Sequence, residues 1–169
     1  MIATEEPNSG GFVQVFSQQG KGTKFKVYLP AIEQASDEQV SSTTIPTGNQ
    51  ELVMIVDDEV MIQLATKTSL EQANYRTLIA KDGIEAIAIY AQHQQEINLV
   101  LIDIMMPSLD GLTAIRTLKK LNPQLKIIAT SGLPTHSREA LAAGAQEFLA
   151  KPYTAADLLN TLSELIANQ

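Results

Sequence analysis

From Glu51 onward, short apolar runs alternate with amphipathic helical stretches, and this alternation restricts the fold more than any other feature. Leu52 to Val56 reads as a strand ending at Asp57-Asp58-Glu59. The following helix is expected to turn Met61, Leu64 and Ala65 inward. Tyr75 to Ala80 is a second strand. Asp82-Gly83-Ile84-Glu85 then forms a capping box, with Asp at the cap and Glu three residues later, and Ile84, Ile87, Ala88 and Ala91 are expected on the apolar face. Ile97 to Ile102 is almost wholly apolar and branched, as suits a strand covered on both faces. It delivers Asp103 to a loop that Pro107 and Asp110-Gly111 turn into a helix. Leu112, Ile115 and Leu118 mark that helix, and Asn122-Pro123 stops it. Leu125 to Thr130 is a fourth strand, ending in Ser131-Gly132. Pro134 to Ala143 is an Ala-rich helix ended by Gly144. Glu147 to Ala150 is a short fifth strand, ending in Lys151-Pro152, and Thr154 caps a last helix with Leu158, Leu159, Leu162, Leu165 and Ile166 inward. Five strand–helix units imply an α/β fold, a parallel sheet with helices on both faces.

In such a sheet the carboxyl ends of the strands meet at one crevice, where ligands bind. Polar residues recur at those ends here: Asp57 and Asp58, Asp103, Ser131 and Lys151. Clustered carboxylates repel one another and are tolerated when a hard cation sits among them. An all-oxygen donor set suits Mg2+, and the absence of His or Cys beside it argues against zinc or copper. Lys151 adds a cation and Ser131 a hydroxyl. A carboxylate nucleophile, a divalent metal, a Lys and a hydroxyl are the parts needed to make an aspartyl phosphate.

Residues 51–169 resemble the receiver domain of two-component response regulators. The matching elements stand in order: Val56-Asp57-Asp58-Glu59, Asp103 to Pro107 with Asp110-Gly111, Thr130-Ser131-Gly132, and Phe148 to Pro152. The resemblance implies a flavodoxin-like doubly wound sheet of five parallel strands in the order 2-1-3-4-5. It implies that Asp103 is the phosphoacceptor, that Asp58 binds Mg2+ directly and Asp57 mainly through water, and that the Met105 carbonyl is a further ligand. Ser131, which precedes Gly132 as in the family, and Lys151 would hold the phosphoryl oxygens. Phe148 matches the aromatic switch position. His93 and His136 fall outside this set and are expected at the surface.

Residues 1–32 have a different texture. Gly11 to Ser17 and Thr23 to Leu29 alternate apolar and polar side chains around a Gly-rich turn, the pattern of a β-hairpin. Phe12, Phe16, Phe25 and Tyr28 all lie in these strands, and an isolated hairpin is marginal in water, so they are expected to pack on something. Gly10-Gly11-Phe12, Gly20-Lys21-Gly22-Thr23 and Phe25 to Pro30 resemble the C-terminal end of a sensor histidine kinase ATPase domain, whose last glycine box lies beside the ATP phosphates. No histidine box, asparagine box or acidic adenine-contacting motif accompanies them, so the segment reads as a remnant without a nucleotide role. Residues 33–50, rich in Ser, Thr and Gln, read as a flexible linker.

These features describe a phosphoacceptor signalling domain of a phosphorelay rather than an enzyme. Its phosphoryl group would come from a phosphohistidine on a sensor histidine kinase or histidine phosphotransfer protein. Its output would run through conformational change, protein contact or onward transfer. A net charge of −7 gives no reason to expect nucleic acid, and no apolar run reaches transmembrane length. With no Cys and no signal pattern, a cytoplasmic setting is expected. Two alternatives fit these residues less well. A haloacid-dehalogenase-like phosphatase needs a second Asp two residues after the nucleophile, where this chain has Met105. A receiver-like interaction module without phosphorylation would not need the complete acidic set.

Overall fold

The structure, a computed structural model, describes residues 2–5, 12–18, 20–28 and 46–167. Most of the expected linker, residues 33–45, lies outside them, as do Gly10, Gly11, Leu29 and Pro30 of the first segment. The chain divides into two compact units, Met1–Thr43 and Thr44–Gln169.

The first unit is an antiparallel sheet in the order β1-β2-β3, built from β1 (Ile2–Glu5), β2 (Phe12–Gln18) and β3 (Gly22–Tyr28). The hairpin β2–β3 matches the alternating pattern, whereas β1 had no comparable signal in four residues. Gly20 and Gly22 take φ of +77° and +94°, so the glycines of the turn serve a left-handed backbone that other residues resist. The four aromatics expected to pack on something all remain exposed, Phe25 most at 66%, and Phe16 and Phe25 face Lys24 and Val15 across the ladder. Phe12 pairs with Tyr28, their rings stacked with centroids 4.4 Å apart, and the Lys26 ammonium lies 5.5 Å from the centre of the Phe16 ring.

The second unit is a five-stranded parallel sheet. Its strands are β4 (Leu52–Val56), β5 (Arg76–Ala80), β6 (Ile97–Asp103), β7 (Lys126–Ser131) and β8 (Glu147–Ala150), in the spatial order β5-β4-β6-β7-β8. Within the unit this is 2-1-3-4-5, the doubly wound flavodoxin-like order expected above. The helices are α1 (Val60–Gln72), α2 (Gly83–Gln92), α3 (Gly111–Leu121), α4 (His136–Ala143) and α5 (Ala155–Ala167). Period-two alternation within each buried strand divides the core in two. Leu52, Met54, Val56, Val100 and Ile102 join Tyr90, Ile115 and Leu118 on one side. Val53, Ile55, Leu99 and Leu101 join Leu70, Leu158 and Leu162 on the other. Among the described residues no helix is long and apolar enough to cross a membrane.

Two helix faces differ from expectation. In α1, Met61 and Leu64 are 74% and 55% exposed, and Ala65 is also exposed; the buried face carries Gln63, Thr66 and Leu70. Polar side chains can occupy that face because the Gln63 amide is satisfied, donating to the Asp57 carbonyl at 2.5 Å. In α2, Ile84 is 61% exposed, Ala88 and Ala91 are exposed, and Gly83, Ala86 and Tyr90 are buried; only Ile87 of the expected face packs on the core. This helix is apolar nearly all round, so polarity cannot choose its face. Small residues let α2 approach α3, and the Tyr90 hydroxyl accepts a hydrogen bond from Asn122 at 2.9 Å. The last residues expected in the linker are docked on this unit. Gly48 N–H donates to Ala73 O at 2.8 Å, and Gln50 N–H to Asn74 O at 3.0 Å.

Candidate functional site

The carboxyl ends of β4, β6, β7 and β8 carry the polar residues singled out above. Asp57 follows β4 directly and Asp103 is the last residue of β6. Both are buried, at 4% and 6% exposure, whereas Asp58 is exposed. One carboxylate oxygen from each of Asp57, Asp58 and Asp103 lies within 4.8 Å of the others. Three anions at that separation repel strongly, and two of them have little water to screen them. The Lys151 ammonium lies on the two buried carboxylates, 2.7 Å from Asp103 Oδ2 and 2.9 Å from Asp57 Oδ2. Desolvation is the largest single influence on this amine and pulls its pKa down. The hydrogen bonds and charges of Asp103 and Asp57 together outweigh it and lift the pKa to about 12.

The second oxygen of each buried carboxylate is held by backbone. Asp57 Oδ1 accepts the Glu59 N–H at 2.9 Å and Asp103 Oδ1 accepts the Met105 N–H at 3.0 Å. Main-chain bonds also tie the strand ends together: Ile104 N–H donates to Thr130 O at 2.9 Å, and Lys151 N–H to Ser131 O at 2.8 Å. The loop after Asp103 is closed by Gly111, where any Cβ would fall on the Asp103 carbonyl oxygen. Asp110 caps α3, accepting from Thr113 N–H at 2.9 Å, and that bond above all holds its carboxyl below the usual carboxylate range.

Of the remaining expected residues, Ser131 is completely buried at the end of β7, Phe148 is half-buried against the core, and the Met105 side chain is 58% exposed. Two further residues join the site that the sequence pattern does not mark. Gln63 holds the Asp57 carbonyl from α1. His136, expected at the surface, is half-buried, and its Nδ1 lies 2.9 Å from Ser131 Oγ. Neither had a usable signal: a Gln inside a helix and a His after a Pro-containing loop are ordinary surface residues until the chain path is known. The other histidine, His93, pairs with Glu96 at 3.0 Å, away from this cluster in the loop after α2.

An acidic trio with only oxygen donors fits a hard divalent cation, and the buried ion pairs show that a positive charge is already accommodated between Asp57 and Asp103. Residues 53–163 match the response regulator receiver domain family. The chemotaxis protein CheY of Bacillus subtilis (strain 168) is 31% identical over 68% of this chain and 96% of its own length. The sensor kinase CckA of Brucella abortus (strain 2308) is 31% identical over 95% of this chain, which spans only 18% of that kinase. Among solved structures, the CheX-CheY-BeF3-Mg2+ complex from Borrelia burgdorferi matches with a TM-score of 0.64 and 27% identity, covering 68% of this chain and 87% of that one.

Proposed function

The chain belongs to the response regulator receiver family, and on that premise we propose that Asp103 accepts a phosphoryl group from a phosphohistidine of a sensor histidine kinase or histidine phosphotransfer protein. The observation that carries this reading is the contact of Lys151 with both buried carboxylates beside exposed Asp58. Asp103 is held by Met105 N–H on one oxygen and by Lys151 on the other, which orients its carboxylate before any donor arrives. In the transfer, the donor's P–N bond breaks as a P–O bond to Asp103 forms, and the donor imidazole leaves. Lys151 then follows the negative charge from the carboxylate to a phosphoryl oxygen, and the Ser131 hydroxyl donates to another. Asp57, Asp58 and Asp103, with the Met105 carbonyl, would hold Mg2+, which when bound offsets the charge of the incoming phosphoryl oxygens. Phe148, half-buried on β8, is the side chain assigned to report the change to the surface.

For the donor, support comes from a groove of about 520 Å3 between α1 and α5 that includes Lys151, Ile62, Tyr153 and Leu158 among its walls. Val60, Met61 and Leu64 stand exposed on the same helix, a surface suited to an apolar helical partner. The similarity to the sensor kinase extends over the first unit as well, which supports reading residues 1–32 as the end of a kinase ATPase domain, residues 33–50 as a connector and 51–169 as the receiver. A cytoplasmic setting goes with such partners. Incubation of the chain with acetyl phosphate and Mg2+ is expected to add one alkali-labile phosphoryl group, and Asp103→Asn to abolish it. Stoichiometric labelling of Asp103→Asn would reject the assignment.

A further inference from the structure

We propose that His136 restrains phosphoryl capture, by holding the Ser131 hydroxyl in the unphosphorylated protein. The inference rests on the reading of Ser131 as a phosphoryl contact and adds a residue to it. Ser131 is fully buried, so water cannot serve its hydroxyl. Among the described residues its Oγ has two hydrogen-bonding partners, the Leu133 backbone N–H at 3.2 Å and His136 Nδ1 at 2.9 Å. The Leu133 amide can only donate. The hydroxyl hydrogen therefore has one acceptor, Nδ1, which places the ring's own hydrogen on Nε2.

A serine hydroxyl has one hydrogen to give. While it lies on His136 it is not available to a phosphoryl oxygen. Capture by Ser131 is thus an exchange, in which the bond to Nδ1 is given up and a bond to the phosphoryl group is made. His136 opens α4, and the preceding N-cap residue, Thr135, makes no side-chain capping bond. Its contact is specific to Ser131 and opposes the move Ser131 must make. Removing the Nδ1 acceptor should favour the captured state by the net worth of one neutral hydrogen bond, about 2- to 10-fold in the equilibrium constant.

The test is titration calorimetry of the full chain with beryllofluoride, a phosphoryl mimic, in excess Mg2+. Ser131→Ala is expected to weaken binding, and failure to do so would reject the role of Ser131 itself. His136→Ala should tighten binding about 2- to 10-fold. His136→Phe, which keeps the ring's volume without the acceptor, should do the same and guards against a packing defect in the Ala variant. His136→Asn, whose amide oxygen falls near the Nδ1 position, should restore the original affinity. On the Ser131→Ala background, His136→Ala should change nothing. Unchanged or weaker binding by both His136→Ala and His136→Phe, with Ser131→Ala still impaired, overturns the inference about His136 alone. So does an equal gain on the Ser131→Ala background.

Discussion

Lys151→Met isolates the charge at the centre of the site, because Met keeps most of the apolar stem while deleting the ammonium. The deletion leaves Asp57 and Asp103, 4% and 6% exposed, facing each other and Asp58 without their counter-charge. The lift of the Lys151 pKa from 10.5 to about 12 corresponds to about 2 kcal/mol of native-state preference for the charged amine. Removing one partner of a fully buried pair costs about 3–5 kcal/mol. The Lys151 side chain is 21% exposed, and water at its edge and at Asp58 screens part of the loss, so the lower figure is the better guide. Equilibrium urea unfolding of the full chain without Mg2+ should show a loss of about 2 kcal/mol near neutral pH. The folded pKa is raised, so the Lys151 contribution is complete below 10.5 and disappears as pH climbs toward 12. The gap between the two proteins should accordingly stay flat through neutral pH and narrow only in that alkaline window. Saturating Mg2+ should shrink the gap, because a divalent cation supplies the missing charge and binds the variant more tightly by linkage. A loss under about 0.5 kcal/mol, or a loss that Mg2+ leaves untouched, would refute the electrostatic account of the site.

Three further outcomes are expected. Asp58→Ala removes the exposed member of the trio, which has no ion pair to Lys151; Mg2+ affinity measured by titration should drop, while thermal stability without Mg2+ holds or rises by up to about 1 kcal/mol. Deleting residues 1–45 should leave Mg2+ binding and Asp103 labelling intact, since the backbone bonds of Gly48 and Gln50 to the second unit are retained; loss of the folded far-ultraviolet circular dichroism signal would show that the first unit is needed. Gly111→Ala should destabilise by about 1–3 kcal/mol in thermal melts and slow acetyl phosphate labelling, because its Cβ must displace the Asp103 carbonyl and the neighbouring Ile104 Cα; unchanged melting would contradict the packing.

The central strands β4, β6 and β7 were legible because burial on both faces leaves a plain mark. Leu52–Val56 begins and ends where its apolar run does, Glu147–Ala150 starts one residue ahead of its run, and β6 extends one residue past its run to include Asp103. The convergence of Asp57, Asp58, Asp103 and Lys151 was legible for a topological reason: parallel strands put their carboxyl ends at one edge, so position along the strand substitutes for three-dimensional knowledge. The helix faces were not legible to the same degree. In α1 the buried side is polar at Gln63 and Thr66, and in α2 apolar residues lie all round, so hydrophobic periodicity pointed at Met61 and Ile84, which solvent reaches. Strand β1 is four residues long and is defined by its pairing with β2, which periodicity does not encode. Gln63 on the Asp57 carbonyl and His136 on the Ser131 hydroxyl depend on where a helix begins after a loop and how it turns. A hydrogen bond needs its partners placed to within a few tenths of an ångström. Composition and spacing along a chain determine which residues reach the same edge of a sheet; only the packed backbone decides which atoms there touch.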